Sequence, residues 1–185
     1  MTWIRSIDPG EAAGSLREIF EAIGAARGGV AAIHRVQAHN ERALRAHLEL
    51  YKAVVFQRSS LSRIDRERIA VTVSFANRCP YCIAHHARAA RNLGDDPDIV
   101  AALERGELPE TLPARDRALL AWARAGACEP ATCREEDLRR LRELGLDDRA
   151  LLDAALTVAY FSFVNRLVLL LGVELEGDYE KTCGT

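Results

Sequence analysis

Residues 62–86 read SRIDRERIAVTVSFANRCPYCIAHH, and the fold class turns on how the middle of this stretch is taken. Ile69, Val71, Val73 and Phe75 alternate with Ala70, Thr72, Ser74 and Ala76, which is the period-two pattern of a strand. Two signals oppose that reading. Ser62 followed three residues later by Asp65 has the form of a helix capping box, and both the Arg63-to-Arg68 run and the flanking segments are helical in type. The stretch is therefore read as a helix over about 63–76. Asn77-Arg78 breaks it, and Pro80 suits the first turn of a second helix that runs to about Asn92 and ends at Gly94.

Outward from this centre the apolar spacing is mostly helical. Asp8, Pro9 and Glu11 mark a helix start, expected to run to about Arg27 and stop at Gly28-Gly29. A short helix near 31–38 and a longer one near 40–57 follow, with Leu44, Leu48, Tyr51 and Val55 on one face of the latter. Beyond Gly94, helices are expected from Asp96-Pro97 to about Arg105 and at about 114–125, 134–143 and 147–172. Pro109 to Pro113 and Gly126 to Thr132 are read as loops. The result is an all-α chain, 1–185, forming a single domain. Helices over about 1–57 are accessory, 60–125 is the CxxC core, and 134–172 holds the C-terminal helices.

A chain of 185 residues buries about 70% of its unfolded surface, so its core needs no disulfide framework. The 25 basic and 27 acidic residues are interleaved without a long basic face, which argues against nucleic acid as a partner. Ala154 to Val173 is long enough to span a bilayer. Asn165 and Arg166 lie within it, and an arginine at bilayer depth costs roughly 2.5–3.5 kcal/mol. A buried core or subunit-interface helix is the better reading, and no membrane partner is expected. Asn165 and Arg166 are then either a subunit-contact pair or a satisfied core pair. The N-terminal stretch MTWIRSIDPGEAAG has no apolar run of signal-peptide length, so a cytoplasmic location is expected. Five cysteines, an odd number, argue for reduced thiols over a structural scaffold.

Cys79, Cys82 and His86 are spaced by three and four residues, which on a helix places them within about 60° of one another. Cα atoms three apart on a helix are roughly 5 Å apart, a separation a disulfide tolerates. Cys79 begins the helix, where free N–H groups and the dipole favour a thiolate. His86 is a base one turn from Cys82. An attacking thiol, a base and a resolving thiol are what peroxide reduction needs, since the sulfenic acid formed condenses with the second thiol. Three other readings stay open: half of a zinc site completed by His85 and His86, inert packing, or a thioredoxin-type motif, which needs strands around it. Neither a metal nor a cofactor is expected. Cys128, Cys133 and Cys183 are read as bystanders, and His34, His39 and His47 show no ligand pattern.

Glu67, the run Asn77-Arg78-Cys79-Pro80-Tyr81-Cys82, and His86 resemble the signature of the carboxymuconolactone decarboxylase / AhpD-like family. The flanks, His47 to Gln57, LSRIDRERIAVTVS and AYFSFVNRLVLLLGVELE, are similar to its peroxidase-related alkylhydroperoxidase branch. The resemblance implies an all-α, AhpD-like fold built on an antiparallel helical hairpin carrying the CxxC. It also implies a homo-oligomer (dimer, trimer or hexamer) and a thiol-dependent hydroperoxidase served by a dithiol reductant. In that pattern Cys82 attacks, Cys79 resolves, and Glu67 with His86 forms a proton relay. The helix-terminus argument favours Cys79 as the nucleophile and the nearby base favours Cys82; Cys82 is taken. Tyr81 stands where AhpD has a histidine. Tyr81, His85 and Asn77 are candidates for supporting roles. The alternatives are a non-catalytic redox sensor or binding oligomer, and a decarboxylase, for which a redox dithiol has no use.

Overall fold

A computed structural model describes residues 2–177 and 179. No strand occurs among them. The α-helices are α1 (Gly14–Arg27), α2 (Ala32–Gln37), α3 (Glu41–Val55), α4 (Arg63–Ala76), α5 (Pro80–Asn92), α6 (Pro97–Glu104), α7 (Ala114–Cys128), α8 (Glu135–Glu143) and α9 (Asp148–Leu170), with single 3₁₀ turns at Pro9–Glu11 and Pro130–Thr132.

The ambiguous stretch is α4, and its place explains the ambiguity. It packs against α5, α6, α7 and α9, and Ile69, Ala70, Val71, Val73 and Ser74 are all fully buried. A helix enclosed on nearly every side needs no apolar stripe, so its sequence loses the 3.6-residue period that would identify it. Its start is as the capping box requires: the Ser62 hydroxyl accepts from the Asp65 N–H at 3.0 Å, and the Asp65 carboxylate accepts from the Ser62 N–H at 2.9 Å. The α4–α5 connection is three residues long. Arg78 adopts φ +56°, a left-handed conformation unusual for a side-chain-bearing residue, and so reverses the chain in minimal length.

Two expectations are corrected. The helix foreseen from Pro9 to Arg27 is broken: Ala12 and Ala13 are extended, and Gly14 turns the chain at φ +54°. Ala12 is drawn into a small core formed by Leu16, Ile19 and Phe20 of α1 with Leu44 of α3, and that burial outweighs helix continuity. At the other end of the chain, α7 continues through Gly126, Ala127 and Cys128, which were read as loop. The small residues carry it against α9: a Cβ on Gly126 would lie 3.5 Å from Val158 Cγ1.

The apolar stretch from Ala154 onward lies in α9, which is long and apolar enough by composition to cross a membrane. Its inner face nonetheless belongs to the main core through Ala154, Val158, Phe161, Val164 and Val168, whereas Leu152, Leu156, Phe163 and Leu170 are exposed. Asn165 and Arg166 part company. Asn165 is fully buried and bonded to α4 and its C-cap, while Arg166 faces out and donates to its own helix at Ser162. Beneath the far end of α9, buried Arg66 donates to Asp153 at 3.2 Å and to Ser59 at 2.7 Å.

Candidate active site

The α4–α5 turn delivers the dithiol. Cys79 is the N-cap of α5 and Cys82 sits in its first turn; both thiols are free and buried. The first turn of a helix presents unpaired N–H groups, and the pair uses them. Cys79 accepts a hydrogen bond from the Cys82 thiol, which outweighs burial, and the Cys82 N–H and the Asn165 amide add to it; together they hold the Cys79 thiol below its ordinary range. The same Cys82–Cys79 bond, with burial and the charge on Cys79, pushes Cys82 well up. Of the two thiols, Cys79 is therefore the first to give up its proton and Cys82 the one that keeps it. Access runs the other way. Cys82 lines a narrow cleft together with Tyr81, His85 and His86, and Cys79 does not.

His86 and Glu67 come together as expected. The ring Nδ1 lies 2.7 Å from Glu67 Oε2, and Glu67 is fully buried. Burial alone would raise that carboxyl. The charge of His86 and its hydrogen bond, then Arg63, which donates to the other oxygen at 2.6 and 3.0 Å, hold it below its ordinary value instead. A carboxylate accepts, so neutral His86 carries its hydrogen on Nδ1 and keeps Nε2 as an acceptor. Phe161 packs edge-on against the ring, centroids 4.4 Å apart, fixing its plane.

The supporting residues separate. Asn77 donates to Asn165 at 3.0 Å, and Asn165 donates to Ser74 at 3.1 Å, so both brace the floor under the dithiol. The Tyr81 hydroxyl accepts from the Ile33 N–H at 3.4 Å and lies 3.5 Å from Glu176, tying α5 to α2 and to the segment after α9. His85 is buried, not at the surface: it stacks on Tyr81 at 4.5 Å, and its Nε2 is 3.7 Å from the Glu176 carboxylate. Cys128 is exposed and Cys133 partly so, both away from the cleft; Cys183 lies outside the described residues. Among the described residues no group of three or more histidine, cysteine, aspartate or glutamate side chains is placed to hold a metal ion.

The opposite wall holds residues that the sequence reading passed over: Arg27, His34, His47, Tyr51 and Tyr160. His47 connects Gln37 Oε1 at 2.7 Å on one ring nitrogen to the Tyr160 hydroxyl at 2.6 Å on the other. His47 and Tyr160 are 113 residues apart, so no local spacing signals them. Their one trace is that both fall in flanks that carry the family resemblance. His39, by contrast, sits apart, its Nε2 2.7 Å from the Arg5 carbonyl.

Comparison with known proteins accords with this geometry. The chain matches the solved structure of a peroxidase-related protein from Silicibacter sp. TM1040 with a TM-score of 0.85 and 28% identity, over 98% of this chain and 95% of that one. It matches a peroxidase-related protein with an alkylhydroperoxidase AhpD core from Ralstonia eutropha JMP134 with a TM-score of 0.89 and 23% identity, over 100% and 97%. A cysteine-to-alanine variant of the debrominase Bmp8, in complex with 2,3,4-tribromopyrrole, matches at 0.81 and 21%, over 98% and 96%. No curated protein matches. The model of the carboxymuconolactone decarboxylase family matches residues 41–124, from α3 to within α7 and across the whole dithiol hairpin region. Residues 41–124 thus match the carboxymuconolactone decarboxylase family, within a chain whose whole fold is AhpD-like.

Proposed function

We propose that this protein is a thiol-dependent hydroperoxide reductase in which Cys82 attacks, Cys79 resolves, and His86 held by Glu67 moves the proton. The observation that carries the reading is that His86, oriented by Glu67 2.7 Å away, lines the same cleft as Cys82. Access selects the sulfur. Cys79 is the first to lose its proton, but shifting one proton along the thiol–thiolate bond then moves the charge to Cys82, which is the thiol that meets a substrate. The Cys82 thiolate attacks the outer peroxide oxygen, the O–O bond breaks, and the departing alkoxide takes a proton to leave as an alcohol. Cys79 then displaces water from the Cys82 sulfenic acid, giving the disulfide. The net change is two thiols plus ROOH to one disulfide, ROH and H₂O, and an external dithiol restores the thiols.

Steady-state consumption of cumene hydroperoxide with dithiothreitol as donor tests this. Sustained turnover that requires both cysteines supports it; a single stoichiometric oxidation that then stops assigns the dithiol to a redox sensor.

A second reading is favoured by the aromatic lining of the cleft, Tyr51, Tyr81, Tyr160 and Phe161, and by the likeness to a debrominase. The same two electrons would replace carbon-bound bromine by hydrogen, releasing bromide and a proton as the dithiol becomes a disulfide. Bromide release from a brominated pyrrole, with no peroxide consumption, would select it.

A further inference from the structure

The cleft that Cys82 lines carries one positive charge, on Arg27, that no carboxylate among the described residues pairs with. Arg27, in the last turn of α1, is half-buried and lies over the Tyr51 ring, 5.2 Å from its centroid. Three other half-buried arginines do meet carboxylates, Arg63 with Glu67, Arg68 with Asp95 and Asp116, and Arg115 with Asp65 and Asp116, whereas Arg124 donates to the Gly106 carbonyl. A partly desolvated cation without a counterion is costly, and a guanidinium has forked donors to offer a ligand.

Its neighbours share the theme. His34 is 3% exposed, lines the cleft and has an Nδ1 with no hydrogen-bond partner. Burial, with the charge of Arg27 second, drives His34 well below its ordinary range and His47 to about 4, so both rings are neutral at physiological pH. Arg27 is then the cation available to a ligand on this wall, and the neutral imidazole of His34 offers it a further hydrogen bond. Arg27 and Tyr51 also line a second, larger groove between α1 and α3, walled by Ile19, Ile23, Leu48 and Phe56. The reaction cleft and this apolar groove therefore meet at the guanidinium.

We infer that this wall is a subsite for an organic monoanion, a carboxylate-bearing compound whose acid group sits on Arg27, whose reacting end reaches Cys82, and whose apolar remainder lies in the α1–α3 groove. The inference rests on Cys82 being the sulfur that meets substrate and names the class of molecule it meets. Charge-assisted, bidentate recognition of a carboxylate is the geometry a guanidinium serves best.

Calorimetric titration of the reduced full chain with 4-phenylbutyrate and with its neutral amide tests the subsite without any turnover. The acid is expected to bind about tenfold or more tighter than the amide, the factor that a charge-assisted hydrogen bond supplies. Arg27→Gln should bring the acid down to the level of the amide, and Arg27→Lys should keep part of the difference. Equal binding of acid and amide, binding of neither at millimolar concentration, or an Arg27→Gln protein that still prefers the acid would each overturn the inference. The acid–amide contrast in the unaltered protein does not depend on any variant folding. Peroxidase assays on cumene hydroperoxide, which is neutral, separate the two proposals. Charge-selective binding without turnover sinks the peroxidase reading alone, and turnover with charge-blind binding sinks the anion subsite alone.

Discussion

At the scale of single residues, the dithiol divides its properties between two sulfurs. Cys79 gives up its proton more readily because the Cys82 thiol donates to it, with the Cys82 N–H and the Asn165 amide adding; Cys82 holds the position because it lines the cleft with His86. Cys82→Ser is accordingly expected to abolish peroxide turnover. Cys79→Ser should turn over once and leave a sulfenic acid on Cys82 that dimedone traps and mass spectrometry locates. The reverse pattern would move the attacking role to Cys79. Glu67 acts through His86, so Glu67→Gln should lower peroxide reduction by about 10²-fold while the chain stays folded. A Glu67→Gln protein that keeps full peroxide turnover would reduce Glu67 to packing.

Among elements, α4 and α9 do the holding. They join through Asn165 at one end and through the Arg66–Asp153 pair at the other, where the side chains are 2% and 1% exposed. Breaking a buried pair on one side strands a charge. Asp153→Ala should therefore destabilise the fold by about 3–5 kcal/mol, read as a fall in the urea midpoint. The double change Arg66→Met with Asp153→Leu should recover part of that loss, because it leaves no buried charge, although Gln57 and Arg149 lose the acceptor they share on Asp153. If Asp153→Ala leaves the midpoint in place, the pair is not a mainstay of the α4–α9 contact.

For the whole molecule, the buried histidines set an acid limit. His47 titrates at about 4 in the folded chain, against about 6.5 when unfolded. Between those values the unfolded chain binds a proton that the folded chain refuses. Stability is thus full above pH 6.5 and falls as pH drops towards 4, by about 3 kcal/mol from this residue. His34 and His85, also held below their ordinary range, steepen the same slope. Glu67 and Asp65 work lower still: their depressed carboxyl values add stability that is present above the ordinary carboxylate range and lost as pH falls through the folded values. Urea unfolding of His47→Gln from pH 7 to 4 should show a shallower loss than the unaltered chain, and parallel curves would refute the assignment.

The dithiol, His86 and the helical character of the chain were legible because each rests on contacts between near neighbours: three- and four-residue spacings, a capping box at Ser62 and Asp65, a proline opening α5. Glu67 was legible only through family resemblance, since 19 residues separate it from the histidine it orients. The strand-like alternation of α4 misleads for a physical reason: a helix buried all round has no solvent face to impose a period. Where the thiols face, and what faces them, is a property of packing. Arg27, His34, His47 and Tyr160 come from four separate helices, and only the closing of α1, α2, α3 and α9 around α5 brings their side chains to the cleft that Cys82 lines.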